Sequence, residues 1–281
     1  MRSIAMGFAS GALPSHDQVP FRVRVVYSGL SDIGRRRQRN EDAYLALPQS
    51  GLFAVADGIG GVAGGEVAAR ILVQTLERAF EAGSDGSSEP YDEASHEQLL
   101  LQSLATANAE IRAEARRSLY KRMGTTFAGV LLSNDRVMVA HVGDSRVYRH
   151  RGKRMELLTH DHTVWNELLR GHGSVADIRP DSIYRDVLAR AVGLDEVVNV
   201  DTRIEVVGAR DTYLICTDGV HGVLQEDEIE SVLEAHGDPL LAVQELIQAA
   251  NERGGPDNIT AIAIRFNGWP GYEEVPTTSP R

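Results

Sequence analysis

The sequence predicts an α+β fold in which helices cover stacked antiparallel sheets. Between residues 127 and 158, four short strand-like runs follow one another with only brief polar turns between them. Strands joined so closely pair antiparallel, because a parallel pair needs a long crossover connection. Apolar residues at helical spacing before and after this block indicate helices that can cover the sheets. These helices are predicted at about 66–80, 96–119, 226–235 and 239–252.

The composition favours an ordinary globular protein that does not bind polyanions. The chain has 281 residues, 42% of them hydrophobic, which is enough for one large domain or two small ones. A formal net charge of −11 argues against binding to nucleic acid or to an anionic membrane. A single cysteine, Cys216, excludes an internal disulfide and suits a reducing compartment. We therefore expect a cytoplasmic protein with no membrane span.

The ordered part of the chain is expected to be one domain at 21–266. It begins with Phe21–Tyr27, which alternates as a half-buried strand does. The segments 1–20 and 267–281 are small, polar and unpatterned, so we expect disordered tails there. An irregular insertion at about 162–186 separates the four-strand block from the later strand and is a candidate lid.

Four aspartates stand where apolar strands begin or end. The run Leu52–Ala56 stops at Asp57, and a loop with five glycines then leads into a helix. The pair Asp57-Gly58 has a counterpart in Asp218-Gly219, which again follows an apolar run. The other two acids are Asp144, after a third strand, and Asp257, just before a final strand at 259–264.

Carboxylates gathered in this way predict a metal site. Like charges a few ångströms apart raise one another's pKa and destabilise a fold, and a cation removes that penalty. Histidine and cysteine are scarce around these positions, so the donors are oxygens, which suit Mg²⁺, Mn²⁺ or Ca²⁺. Several converging carboxylates make two ions about 3.5 to 4 Å apart plausible. Any single Asp-Gly pair would be typical of a turn, but four acids at strand ends are poorly explained by turns alone.

An arginine-rich loop precedes the first of these acids. It contains Arg37 and ends in Glu41 and Asp42, ahead of a strand at 43–47. An isolated run of this kind would predict a solvated basic face or a nucleic-acid patch. This loop lies one hairpin away from Asp57, where a guanidinium can bind two oxygens of a phosphate dianion.

Six segments in order resemble the metal-dependent protein phosphatases of type 2C, the PPM family, in their bacterial form. Together they cover nearly all of the chain between about 30 and 265, and the ordered set is far more specific than any one of its members. The segments are Gly34-x-x-Arg37-x-x-Asn40-Glu41-Asp42, Ala56-Asp57-Gly58-Ile-Gly-Gly, Met123-Gly-Thr-Thr126, Val142-Gly-Asp144-Ser-Arg146, Cys216-Thr-Asp218-Gly219 and Gly255-Pro-Asp257-Asn258-Ile-Thr260.

This resemblance implies a four-layer α-β-β-α sandwich and a single phosphatase catalytic domain. It also implies hydrolysis of phosphoserine and phosphothreonine in proteins by a water that bridges two Mn²⁺ or Mg²⁺ ions, without a covalent enzyme intermediate. The implied partners are phosphoproteins, namely a bacterial serine/threonine kinase and the substrates whose phosphorylation this protein would reverse. We expect the protein to act as a monomer.

Four residues match the family's principal metal ligands by position. Asp57 resembles the carboxylate that bridges both ions, and the Gly58 carbonyl resembles a ligand of the second ion. Asp218 and Asp257 resemble ligands of the first ion.

The remaining site residues follow from the same resemblance. Glu41 and Asp42 match acids that hold the second ion directly or through its waters. Asp144, together with Asp218, matches a third and weaker metal site. Arg37 matches the phosphate-binding arginine, which makes Asp57, Asp218 and Arg37 the expected catalytic group. The insertion at 162–186 is placed where the family has its flap.

One position departs from the family pattern. Many members carry a histidine in the glycine loop, proposed to protonate the leaving alkoxide, and this chain has Val62 there. We expect a water on a metal to protonate the leaving alkoxide instead, with His162 as a second candidate for this step. If His162 has no such role, we expect a surface residue at a helix start. On this hypothesis, Val62→His lowers the preference for an aryl phosphate over a phosphoserine peptide.

Four other interpretations were open. Cys216 could be a nucleophile, but cysteine phosphatases need an arginine six positions later, where this chain has Gly222. The loop Gly58-x-Gly60-x-x-Ala63 formally fits a dinucleotide-binding fingerprint, although Asp57 would repel a pyrophosphate. A phosphatase of the sporulation and stress-sigma-factor type usually lacks the arginine and the flap. The last is a non-catalytic member that only binds phosphoproteins, which Val62 favours; every metal carboxylate is present, so we expect turnover.

Overall fold

Two antiparallel sheets and six helices make up the computed structural model, which describes residues 9–12, 25–60, 64–82, 93–118, 122–133, 135–172 and 186–267. The strands are β1 (Ala9–Ala12), β2 (Val25–Asp32), β3 (Asp42–Leu47), β4 (Leu52–Ile59), β5 (Gly124–Thr125), β6 (Phe127–Ser133), β7 (Arg136–Val142), β8 (Arg146–Arg151), β9 (Arg154–Leu157), β10 (Asp201–Val206), β11 (Thr212–Cys216) and β12 (Ile259–Phe266). The helices are α1 (Gly64–Ala82), α2 (Glu93–Arg117), α3 (Val164–His172), α4 (Asp218–His221), α5 (Glu226–Ala235) and α6 (Pro239–Glu252).

Every strand pair is antiparallel, as the sequence predicts. The first sheet has the order β1-β2-β12-β11-β8-β9, and the second has the order β10-β7-β6-β4-β3, with β5 paired to β4 at one end. The two sheets face each other, and helices cover both outer faces. The predicted four-layer α-β-β-α arrangement is therefore confirmed.

Strand β4 shows why the sequence runs apolar without alternation. Leu52 and Ala54 point to one face and pack with α1 and α2, whereas Phe53 and Val55 point to the other face and pack against the first sheet. Because side chains alternate between the faces of a strand, a strand in an inner layer needs apolar residues at every position. Asp57 follows directly, so the acid is carried by one of the most buried strands.

The first sheet is built in the same way. Ala261 and Ala263 of β12 face the helical layer that contains Leu246 of α6, while Ile262 and Ile264 face the second sheet. Small side chains on the helical side let α6 approach the sheet closely, and the larger isoleucines fill the space between the sheets. This packing fixes the start of β12, where Asp257 and Asn258 lie.

The helices α5 and α6 begin and end where the sequence predicts them, and α1 and α2 are slightly longer or shifted. Strand β10 (Asp201–Val206) was not predicted, because its side chains are mostly exposed or half-exposed and it pairs on one side only, with β7. Strand β1 falls in the segment predicted as a loose tail, where its main chain pairs with the open edge of β2. A four-residue helix, α4, directly follows β11 and was also not predicted.

Several sequence predictions lie outside the described residues. They include Val62, most of both predicted tails and the 173–185 part of the predicted flap. The two described ends of that insertion meet, since Val164 N–H donates to the Val187 carbonyl at 2.8 Å and Ala189 N–H donates to the His162 carbonyl at 2.8 Å. None of the helices in the described ranges combines the length and apolar character that crossing a membrane requires.

Candidate active site

A cleft of about 560 Å³ gathers seven of the eight predicted site residues. It lies where the acid-bearing ends of strands from both sheets come together. The lining includes Arg37, Glu41, Asp57, Gly58, Asp144, Asp218 and Asp257. Asp42, the eighth residue, does not line the cleft and lies directly across from Asp57 in the β3–β4 pair.

The main chain of Asp57 is held by the two threonines of the Met-Gly-Thr-Thr segment. Asp57 N–H donates to Thr126 Oγ1 at 2.9 Å, and the Asp57 carbonyl accepts from Thr126 N–H at 2.8 Å and from Thr125 Oγ1 at 3.0 Å. These bonds continue the pairing of β4 beyond its regular ladder. They position the carboxylate at the cleft, and they explain why two hydroxyl residues follow the glycine there.

Asp218 is placed by a close approach of two chain segments. A Cβ at Gly219 would collide with the Asn258 carbonyl oxygen, so only glycine fits after the aspartate. Thr217 N–H also donates to the Thr260 carbonyl at 3.0 Å, which fixes the segment to β12. Asp218 and Asp57 line the same cleft, and Asp218 Oδ1 is buried with no hydrogen-bond partner among the described residues.

Asn258 joins the arginine-rich loop to the start of β12. Its Nδ2 donates to the Ile33 and Arg39 carbonyls, each at 2.9 Å, and its Oδ1 accepts from Glu41 N–H at 2.8 Å. The loop is therefore fixed at both ends by one side chain. Between these ends, Arg37 Nη2 lies 2.5 Å from Asp257 Oδ2, and about half of the Arg37 side chain (51%) remains exposed.

Glu41 and the Gly58 carbonyl face the same small space. A Cβ built on Gly65 would collide with both Glu41 Oε2 and the Gly58 carbonyl oxygen. Gly58 N–H also donates to the Glu41 carbonyl at 3.2 Å. A carboxylate oxygen and a main-chain oxygen are thus held side by side at the start of α1, where the chain needs glycine.

Asp42 ties the two sheets together behind Asp57. Its Oδ2 accepts hydrogen bonds from Thr217 Oγ1, directly after β11 of the first sheet, at 2.9 Å and from Thr260 Oγ1 of β12 at 2.7 Å. The Asp42 carboxylate therefore contacts hydroxyl groups. Its assignment as a metal ligand stays a prediction.

Burial and mutual repulsion raise the pKa values of the clustered acids. The pKa of Asp57 lies well above its usual 3.8, first because of burial and then because of the charges of Asp42 and Asp218. Burial raises the pKa of Asp42 to about 7. Burial, followed by the charge of Asp218, raises the pKa of Asp144 to about 7. Burial and the neighbouring Asp257 raise the pKa of Asp218.

These residues fit divalent cations that prefer oxygen. The cleft lining contains no histidine or cysteine within the described ranges, and it offers carboxylate oxygens together with the Gly58 carbonyl. Such donors suit Mg²⁺ or Mn²⁺ rather than zinc or copper. The buried, unpartnered Asp218 Oδ1 is an acceptor that a cation would satisfy.

Both sequence-based interpretations of His162 are wrong. The residue is fully buried, so it is not a surface residue, and it is absent from the described lining of the cleft. Its Nδ1 accepts from Gly143 N–H at 3.2 Å, its Nε2 lies 3.2 Å from Asp201 Oδ2, and burial lowers its pKa to about 4. Because the insertion folds back onto the Gly143 loop, His162 positions the segment that carries Asp144.

His162 also belongs to a second group of possible metal ligands, with His141 and Asp201. The Arg190 guanidinium already lies 3.0 Å from Asp201 Oδ1 and 3.4 Å from His162 Nε2. A fixed positive charge therefore occupies the place that a cation would need.

The structure also removes two of the alternatives. Cys216 is fully buried, and burial raises the pKa of its thiol to about 12, so it is not an activated nucleophile. Strand β4 has only antiparallel neighbours, so the Gly58–Gly60 loop does not belong to the parallel βαβ unit of a dinucleotide-binding fold.

Sequence reasoning missed Arg122, which also lines the cleft. Its segment was recognised only for the residues that follow it, and no pattern singles out one arginine before a strand. Asp186 and Leu188, at the described end of the insertion, line the cleft as well. Their approach depends on the fold of the insertion and not on local sequence.

Comparison with known proteins gives a consistent result. The family model described as protein phosphatase 2C matches residues 32–251. A curated relative from Listeria innocua, named serine/threonine phosphatase stp, is 31% identical over 242 residues, which cover 84% of this chain and 94% of the relative.

Two solved structures have the same fold. PppA of Pseudomonas aeruginosa, described as a key regulatory component of T6SS, is 32% identical, with a TM-score of 0.75 over 86% of this chain and 97% of its own. The catalytic domain of serine threonine protein phosphatase PstP, in complex with 2 manganese ions, is 29% identical, with a TM-score of 0.73 over 86% of this chain and 98% of its own.

Proposed function

The chain belongs to the protein phosphatase 2C family and is a serine/threonine phosphatase, and we propose that it hydrolyses phosphoserine and phosphothreonine in proteins with two divalent cations and a water. The observation that carries this proposal is the convergence of Asp57, Asp218 and Asp257 on one cleft beside Arg37. Further support comes from the manganese-bound relative PstP. The physiological reaction would reverse a bacterial serine/threonine kinase.

The proposed metal ligands come from both sheets. Asp57 would contact both ions, Asp218 and Asp257 would hold the first, and Glu41 with the Gly58 carbonyl would hold the second. Asp42 would act on the second ion directly or through its waters, and Asp144 with Asp218 would hold a third, weaker ion. When bound, two Mn²⁺ or Mg²⁺ ions supply positive charge that lowers the pKa of a water and offsets charge on the phosphoryl oxygens.

Arg37 would bind the substrate phosphate. Its guanidinium is held at the cleft by Asp257 and keeps about half of its surface exposed (51%), so N–H donors remain for a ligand. A planar guanidinium binds two phosphate oxygens at once, which orients the phosphorus for in-line attack.

The reaction needs no covalent intermediate on the enzyme. The attacking water forms the new bond to phosphorus, the bond to the serine or threonine oxygen breaks, and that oxygen takes a proton. The Thr126 hydroxyl at the cleft is already bonded to Asp57 N–H and lies 2.7 Å from Ser145 Oγ, and Cys216 is buried. Because His162 is buried too, we assign protonation of the leaving oxygen to water.

Phosphate release from a phosphothreonine peptide tests this function. We expect turnover with Mn²⁺, no turnover in EDTA, and a loss of about 10³-fold or more in Asp57→Asn. Asp135→Asn, which changes an exposed acid in the β6–β7 turn, is the matched control and should keep full activity. Turnover that is unaffected by EDTA, or full activity in Asp57→Asn, would contradict the proposal.

A further inference from the structure

A second cleft lies beside the active site and is lined by three arginines. It has a volume of about 300 Å³, and its arginines are Arg112 and Arg116 of α2 and Arg122, which precedes β5. We call it the arginine cleft. Arg122 lines both clefts, as do Met123 and Leu188, so the two spaces share a wall.

The three guanidinium groups of the arginine cleft are not neutralised. In the described ranges, no hydrogen bond or ion pair is made by the side chains of Arg112, Arg116 and Arg122. Arg151, by contrast, is paired with Asp211 at 2.6 Å. The only carboxylate in the described lining of the arginine cleft belongs to Asp195, which is exposed. A local positive charge is thus maintained on a protein whose net charge is −11.

One wall of the arginine cleft, the turn from Gly193 to Asp195, is fixed before any ligand arrives. Buried Asn108 of α2 accepts from Gly193 N–H at 2.6 Å through Oδ1 and donates to the Asp195 carbonyl at 3.0 Å through Nδ2. Gly193 has a φ of +100°, and a Cβ there would collide with Ile111, so the turn is held tightly against the helix. A preformed site loses little conformational entropy when it binds a ligand.

We infer that the arginine cleft binds a second anionic side chain of the substrate polypeptide while the phosphoresidue occupies the active site. This inference rests on the proposed function, because it assumes that a phosphorylated polypeptide enters the neighbouring cleft. Guanidinium groups bind phosphate and carboxylate through paired N–H donors. The preferred substrates are then segments that carry a second phosphoryl group or an acidic residue near the phosphothreonine.

Three series of labelled peptides test the inference. Every peptide has a phosphothreonine and, about two to about six residues away, a second position that is phosphothreonine, glutamate or threonine in the three series. The spacings follow from an extended chain, which advances about 3.3 Å per residue. Turnover is measured with Mn²⁺, and binding is measured by fluorescence anisotropy in EDTA. We expect kcat/KM and affinity to be about tenfold higher for a peptide with a second anion at the favoured spacing. A gain with phosphothreonine alone supports a phosphate site, and a gain with glutamate as well supports a general anion site.

The test compares each peptide that has a second anion with the matching threonine peptide, as a ratio of kcat/KM and a ratio of affinity. In the double variant Arg112→Ala/Arg116→Ala, both ratios should fall to about one. Both residues are on the surface of α2, where alanine is a good helix former, and far-UV circular dichroism verifies folding. Arg117→Ala is the matched control, because Arg117 is exposed on the same helix and does not line the arginine cleft. The control should keep both the ratios and the turnover of a small aryl phosphate.

The outcomes separate this inference from the proposed function. If no peptide is hydrolysed but the anisotropy ratios follow the prediction, the proposed function fails and the anion site stands. If all peptides are hydrolysed and bound equally well, the anion site is overturned and the function stands. An equal loss in Arg117→Ala and in the double variant would also overturn the site, because the effect would then be general surface charge.

Discussion

Without metal, the protein should lose stability as the pH rises from about 4 to about 7. Asp42 and Asp144 each have a pKa raised from 3.8 to about 7 in the folded chain, so between these values the folded state binds more protons than the unfolded state. Stability is then greatest below the unfolded pKa, and it falls as the pH rises through the folded pKa.

The size of the effect follows from the shift of one group. A pKa that moves from 3.8 to about 7 corresponds to about 4 kcal/mol, of which about 3 kcal/mol falls between pH 5 and pH 8. The acids repel one another, so their contributions do not add. For a chain of this size, about 3 kcal/mol lowers the melting temperature by roughly 10 °C.

Thermal unfolding in EDTA at pH 5 and pH 8 measures this dependence. Asp144→Asn removes one titrating carboxyl, so the free energy of unfolding of this variant should fall less between pH 5 and pH 8 than that of the parent. The two falls should differ by up to about 3 kcal/mol. The exposed Asp135→Asn should keep the parent's dependence. Mn²⁺ should raise the melting temperature more at pH 8 than at pH 5, because ionised carboxylates bind it better.

Two results would refute this reasoning. One is a melting temperature in EDTA that stays constant or rises between pH 5 and pH 8. The other is an Asp144→Asn variant whose dependence on pH matches that of Asp135→Asn, since Asp144 would then titrate in the folded chain as it does in the unfolded chain.

Three further predictions follow from individual contacts. Arg37→Ala should lower kcat/KM on a phosphothreonine peptide by about 10- to 100-fold. Arg39 makes only a 3.9 Å contact with Glu66, so Arg39→Ala should change kcat/KM less than about threefold. Equal effects of the two substitutions would contradict the phosphate-binding role of Arg37. Gly219→Ala should lower the free energy of unfolding in urea by about 3 kcal/mol, because its Cβ meets the Asn258 carbonyl, while Gly237→Ala, with open space around it, should have little effect. Iodoacetamide should label Cys216 only after unfolding, and mass spectrometry that finds labelled native protein would contradict its burial.

The residues of the site could be predicted from the sequence because they lie at the ends of strands whose apolar patterns are easy to recognise. Asp57 ends the buried run of β4, and Asp257 precedes β12, so the patterns that indicate the strands also place the acids. Which acids meet could be inferred only from their shared charge and from the family resemblance. Asp57 and Asp218 meet in one cleft although they lie at strands of different sheets, and no local pattern encodes that approach.

The features that sequence reasoning missed depend on tertiary contacts. Strand β10 carries few buried side chains, so its periodicity is weak, and it becomes a strand by pairing with β7. His162 looks like a helix-start residue until the Gly143 loop covers it. Arg112 and Arg116 are four residues apart on α2 and can be placed on one face from the sequence, but their meeting with Arg122 requires the fold.

Cation binding at the cleft should also stabilise the packing of the two sheets. Asp42 and Asp57 belong to the second sheet, whereas Asp218 and Asp257 flank strands of the first, so like charges from both layers meet at this end. The hydrogen bonds of Asp42 with Thr217 and Thr260 hold the layers together against that repulsion. A bound cation offsets the repulsion that weakens the metal-free protein, and the free energy gained in this way favours cation binding. Metal binding and folding stability are therefore linked through one set of carboxylates.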